Sequence, residues 1–221
     1  MAVQGPPASG PIRVAVVTDP PGGSTDAAVR AAVLRAADAL SDAGYEVVEA
    51  CPPTYAQATE VWGRLLMGDL ALGLPMMTPM MGADAVTFLE WTNTRIAPLR
   101  DVLDLSRLMI ARDAIAQDWS RFMAEHPLIL SPTWTTLPFT HGQDVAGPDE
   151  AVATINLIRP VVPADLLGLP SACVPAGLDP ASGLPVGVLL TGRRMRDDQC
   201  LDAAEAVEAR LSVETPIDPR W

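Results

Sequence analysis

Ile12 to Thr18 reads IRVAVVT, an almost unbroken apolar run of the kind expected in a β-strand covered on both faces. Asp19 to Thr25, DPPGGST, interrupts it with turn-forming residues. From about Asp26 to Ala43 the apolar positions take a helical spacing, with Val29, Val33, Ala36, Ala37 and Leu40 on one face. Ser24 or Thr25 stands where an N-cap is expected, and Gly44 where the chain leaves the helix. Tyr45 to Ala50 returns to strand character, so this stretch predicts a βαβ-type unit.

Helical spacing recurs from Gln57 to Leu72, briefly from Ala85 to Thr92, and over a long segment from Leu103 to Glu125. The long segment carries Leu105, Leu108, Met109, Ile115, Trp119 and Phe122 on one stripe. Leu74 to Gly82, LPMMTPMMG, reads as a Met/Pro loop. Leu128 to Leu130 predicts a short buried strand, and Asp149 to Ile158 a short helix. Ala172 to Pro175 and Val186 to Leu190 are expected to pair around a turn at Asp179–Gly183, before a closing helix from Gln199 to Leu211. The fold class is α/β, a mixed β-sheet flanked by helices on both faces. Residues 1–11 are Gly/Pro-rich and are expected to form a disordered tail, leaving residues 12–221 as the folded unit.

Composition narrows the function classes. Hydrophobic residues make up 49% of the 221, enough for a sizeable core. The net charge of -12 repels phosphate backbones, so no nucleic-acid partner is expected. Cys51, Cys173 and Cys200 are scattered, with no CxxC pair and no secretory start, which predicts reduced thiols and a cytoplasmic location. The most apolar stretch, Leu65 to Met81, is interrupted by Asp69, Pro75 and Pro79, so no membrane span is expected. All 15 basic residues are arginine. A lysine base, Schiff base or phosphate-loop lysine is therefore excluded within these residues.

Few side chains suggest chemistry on their own. DPPGGSTD lacks both GxGxxG and a GK[ST] ending, and reads as a strand-to-helix turn. The two histidines, His126 and His141, have no G-x-S-x-G serine elbow to serve and no cysteine or carboxylate cluster beside them. His126 follows a helix C-terminus, where the dipole favours a cation, and His141 lies in a loop open to a general-base role. Arg112 falls on the apolar stripe of the long helix, either as a snorkelling or ion-paired side chain or as a guanidinium able to hold a carboxylate. Met76, Met77, Met80 and Met81 are adaptable apolar filler, for packing or for an apolar substrate.

Four segments in order carry a resemblance: LILSPT at Leu128–Thr133, within which ILSPTW runs on to Trp134, GLPSACVPAG at Gly168–Gly177, GLPVG at Gly183–Gly187, and the helix at Ala203–Glu208. Together they resemble the C-terminal half of the amidase signature hydrolases. The chain departs from that pattern with Asp165 where the family often has asparagine and Leu189 where it often has glutamine. The resemblance implies part of the amidase signature fold and a site for hydrolysis of carbon–nitrogen amide bonds. In that family a serine nucleophile, a second serine and a lysine base do the chemistry, and they sit in the N-terminal half. Neither the lysine nor a Gly/Ser-rich signature occurs here, so no catalytic residue is expected in this chain and the chain alone is expected to be inactive. Residues 12–221 are expected to be a partial amidase domain that supplies scaffold and pocket wall.

The resemblance further implies that Ile155, Ile158 and Val162 face the acyl part of a substrate. Their spacings of three and four would put them on one helical face. Thr133 and Trp134, at the end of a buried strand, are expected to enter the same cleft, so all five should line one concavity. No metal and no cofactor are expected. The expected partners are a small-molecule amide substrate, if an N-terminal half completes the site, and association through exposed apolar surface; neither nucleic acid nor membrane is expected. The alternative is a stand-alone α/β module that binds a small molecule or a partner without catalysis.

Overall fold

A computed structural model describes residues 10–213. Residues 1–9, which hold most of the expected disordered tail, and 214–221 lie outside the described residues. The first elements are β1 (Arg13–Val16), α1 (Ala27–Asp42), β2 (Glu46–Glu49), α2 (Tyr55–Met77), α3 (Ala83–Arg95) and α4 (Val102–Glu125). They are followed by β3 (Leu128–Pro132), α5 (Pro148–Asn156), α6 (Val162–Leu167), β4 (Ser171–Leu178), β5 (Pro185–Gly192) and α7 (Asp197–Leu211). The strands form one mixed sheet in the order β2-β1-β3-β5-β4. β1 lies parallel to both β2 and β3, and β5 pairs antiparallel with β3 and β4.

The unbroken apolar run of β1 is explained by cover on both faces. Val14 and Val16 point with Leu128 and Leu130 toward α1 and α7, where Val29, Val33, Leu40, Ala203 and Val207 meet them. Ala15, Val17 and Ile129 point the other way, to Tyr55 and Val61 of α2, Ile115, Trp119 and Met123 of α4, and Leu166 and Leu167 of α6. Alternate strand positions thus feed two separate cores. Each fully buried Val or Leu side chain in them contributes roughly 1.5–3 kcal/mol against exposure. β4 is an edge strand, where Pro175, lacking an N–H, is tolerated.

Several elements differ from expectation. The expected Met/Pro loop at Leu74–Gly82 is helical at its start: α2 continues through Pro75 to Met77, and a 3-10 turn spans Thr78–Met80. Pro75 falls in the last turn, where the Thr78 hydroxyl donates to the Leu74 carbonyl at 2.6 Å. α1 starts after Asp26 rather than a capping Ser24 or Thr25; Asp26 caps no helical N–H and instead accepts from Leu137 N at 3.3 Å. On α4 only part of the expected stripe is buried. Leu108, Ile115 and Trp119 are core, whereas Leu105 and Met109 are exposed.

The α2–α4 crossing is pinned by charge. Asp104 is buried and accepts from Arg64 Nη2 at 2.6 Å and Arg100 Nη2 at 3.1 Å. Its own N–H donates to the Asp101 side chain at 2.7 Å, which caps α4. Among the described residues no helix is long and apolar enough to cross a membrane, and no group of three or more His, Cys, Asp or Glu could hold a metal ion.

Candidate functional site

Two apolar cavities open beside the strand ends. The first, of about 430 Å³, is lined by Thr133, Trp134, Phe139, Cys173, Val186 and Gly187 among others. β3 leads the chain into Thr133 and Trp134, whose indole is 39% exposed and lies 6.0 Å from the Phe139 ring. β4 and β5 bring Cys173 opposite, with its Sγ 3.1 Å from Thr133 Oγ1. A side chain on Gly187 would place its Cβ 3.2 Å from Cys173 Sγ and 3.5 Å from Thr133 Oγ1. Glycine at 187 thus lets Cys173 and Thr133 pack closely against β5 at the cavity wall. Among the described residues no charged side chain lines the cavity, so its walls suit a neutral apolar group.

The second cavity, of about 420 Å³, lies between α2 and α5. Ile155, Val152 and Val162 form one side, Trp62 and Ile96 another, with Arg64, Glu60 and Asn156 as polar members. Trp62 Nε1 donates to Asp165 Oδ2 at 2.6 Å, which gives the aspartate at that position a definite partner. Arg64 is fixed by Asp104, and its Nε is buried without a partner among the described residues.

The five residues expected in one concavity are divided between the two. Thr133 and Trp134 line the first cavity, and Ile155 and Val162 the second. Ile158 is half-buried and lines neither. The shared helical face does not form, because α5 ends at Asn156, turns span 157–161, and α6 begins at Val162. Pro160 and Pro163 interrupt a continuous helix there. Sequence reasoning missed Phe139, Cys173, Trp62 and Arg64, which reach the cavities from segments far apart in the chain.

The remaining candidates are placed as follows. Arg112 donates Nε to the Leu166 carbonyl at 2.8 Å, and Arg194 Nη2 donates to the Leu167 carbonyl at 2.6 Å. Both satisfy carbonyls at the end of α6, so Arg112 is taken up by the fold rather than aimed at a carboxylate ligand. His126 stacks on Phe122 at 4.5 Å and sits 3.3 Å from the Phe122 carbonyl, and His141 is exposed in its loop. Met76 and Met80 are 77% and 82% exposed, not core filler. Cys200 is buried, and its pKa is accordingly pushed up to about 12, which makes it an inert thiol. DPPGGST is a strand-to-helix connection, as expected.

The family model "Amidase" matches residues 1–201. An indoleacetamide hydrolase from Bradyrhizobium japonicum is 33% identical over 215 residues, covering 95% of this chain and 45% of the relative. A glutamyl-tRNA(Gln) amidotransferase subunit from Trichormus variabilis is 28% identical over 229 residues, covering 93% and 46%. Among solved structures, a substrate complex of 6-aminohexanoate cyclic dimer hydrolase superposes with a TM-score of 0.72 at 21% identity, over 93% of this chain and 46% of that one. Fatty acid amide hydrolase gives 0.70 at 20%, over 94% and 42%. These structures share the fold. The chain spans about half the length of the relatives it matches. With a family model covering nearly all of it, and the GLP segments building the strands that wall the first cavity, the chain belongs to the amidase family.

Proposed function

We propose that residues 12–221 are the C-terminal portion of an amidase signature hydrolase, a partial domain that supplies scaffold and substrate-pocket wall for cleavage of carbon–nitrogen amide bonds. The observation that carries this reading is the ordered set of family segments meeting at one place. β3 delivers Thr133 and Trp134, β4 delivers Cys173, and β5 delivers Gly187, around an apolar cavity without charge. A neutral amide with an aryl or alkyl acyl group suits such walls. Thr133 and Trp134 serve one cavity, and Ile155 and Val162 the other. Ile158 lines neither cavity. The family's serine nucleophile with a lysine base would have to be supplied from outside these residues, since the 221 residues hold no lysine; a truncated gene, a split enzyme and a paralogue that lost catalysis are the three forms this reading takes. The free cysteines accord with a reducing, cytoplasmic setting.

The test is purified chain with indole-3-acetamide and a series of aliphatic amides, alone and after co-expression with an N-terminal half from a family enzyme. The chain alone is expected to show no turnover, and the reconstituted protein is expected to hydrolyse amides. In the reconstituted protein, Trp134→Ala and Ile155→Ala should change the ranking of acyl groups. Turnover by the chain alone that disappears on replacing His141 would overturn the proposal, as would reconstitution with an unchanged ranking. The second reading, a stand-alone binding module, is favoured by the two well-buried core clusters. It expects amide binding by the chain alone and no gain from any N-terminal half.

A further inference from the structure

Arg159 heads the largest fully buried side chains among the described residues, at 2% exposure. It makes no salt bridge there, and burial pushes its pKa down. Its guanidinium is surrounded by neutral oxygens instead. Nε donates to Pro20 O at 3.0 Å, and Nη2 to Ser24 O at 2.7 Å. Nη1 donates to Thr135 Oγ1 at 3.1 Å and to Asn156 O at 3.3 Å. A buried cation without a counter-ion is tolerated only where its donors are satisfied.

The acceptors belong to three segments that line the two cavities. Pro20 and Ser24 bracket the β1–α1 connection, whose Pro21 and Gly22 line the second cavity, as does Asn156. Thr135 stands between Trp134 and Thr136, which line the first. The approach is close. Gly22 has φ 106°, and a Cβ on Gly23 would lie 3.2 Å from the guanidinium carbon. Thr135 is itself fully buried, donating N–H to Leu157 O at 3.2 Å and accepting from Asp26 N at 2.7 Å.

We infer that Arg159 is a positioning residue that couples the two cavities, holding the β1–α1 connection and the Thr133–Thr136 turn in one register through a single guanidinium. Displacement of Gly22 or Asn156 by an occupant of the second cavity is then transmitted to Trp134 in the first. This holds whether or not the chain is part of a hydrolase. A lysine keeps the charge, but its single nitrogen cannot reach acceptors on all three segments. A methionine fills similar space with no donor.

Two reporters test it in the whole chain, with Cys51→Ser as background. Alkylation of Cys173 by N-ethylmaleimide reads the first cavity, and amide hydrogen exchange at Gly22–Thr25 reads the rim of the second. Arg159→Met and Arg159→Lys should raise both rates together by about tenfold or more, as expected when a charge-assisted hydrogen bond no longer resists local opening. Ethylguanidinium added to Arg159→Gly should bring both back toward wild type. Leu40→Ala, in the opposite core cluster, serves as a control that lowers global stability, and it should leave both rates within about twofold at conditions of matched stability. If Arg159→Met does not fold, Gly23→Ala, which crowds the guanidinium without deleting it, should move both reporters in the same direction. Movement of one reporter alone, no restoration by ethylguanidinium, or Arg159 variants indistinguishable from Leu40→Ala would overturn the inference.

Discussion

Asp104 is a carboxylate at 4% exposure, and its charge is held by two arginines. Hydrogen bonding from Arg100 is the largest influence and holds its pKa well below the usual carboxylate range; burial opposes this, and Arg64 adds to the lowering. A depressed folded pKa gives stability that is fully present above the unfolded aspartate value of about 3.9 and is lost as pH falls toward the folded value. Urea midpoints of the wild type should therefore decline from about pH 5 downward, more steeply than those of Asp104→Asn. At pH 7 the variant should be the less stable of the two, since both arginines lose their anionic partner. Equal slopes would mean that Asp104 does not contribute this pH-linked stability. The Arg100–Asp104 spacing of four is a local pairing signal in the sequence, but the Arg64 contact, 40 residues away, is not legible there, since any of the acidic residues could be its partner.

Elements were more legible than their ends. The helical spacing of α1 and α4 and the strand character of β1, β3 and β5 follow from apolar periodicity alone. Ends depend on local competition for hydrogen bonds. α2 runs through Pro75 to Met77, where the Thr78 N–H and hydroxyl both donate to the Leu74 carbonyl. α4 begins at Val102 because Asp101 accepts the Asp104 N–H. Asp101→Ala should lower stability by about 1 kcal/mol, the usual magnitude for a lost N-cap, with amide exchange rising first at the start of α4. A loss spread evenly over the molecule would argue that the cap is not the local anchor of that helix.

At the scale of the molecule, the two cores are filled, but α2, the turn after it and α4 keep large apolar side chains in water. Leu72, Met76 and Met80, at and beyond the end of α2, are 84%, 77% and 82% exposed, and Val102 and Ile110 of α4 are 82% and 67% exposed. Exposed apolar side chains in such numbers exceed what isolated surface residues account for. The purified chain is expected to enhance the fluorescence of an apolar dye and to scatter light as its concentration rises. Met76→Glu with Ile110→Glu should suppress both. A monodisperse chain that leaves the dye dark would show that these side chains are harmless in water.

The sequence by itself determined the α/β class, the βαβ start, the pairing of the last two strands and the family. These rest on local period and on short motifs, which are properties of neighbouring residues. The absence of lysine was equally plain. Tertiary structure alone decided what the candidate wall residues share. Thr133 and Trp134 face Cys173 and Phe139, whereas Ile155 and Val162 face Trp62 and Ile96, because turns at 157–161 break the helical face that the spacing suggested. It also decided that Arg159, outwardly one arginine of 15, is buried among the Pro20, Ser24 and Asn156 carbonyls and the Thr135 hydroxyl, acceptors from three segments. Which groups meet a guanidinium is a matter of how distant segments pack, and no periodicity along the chain records it.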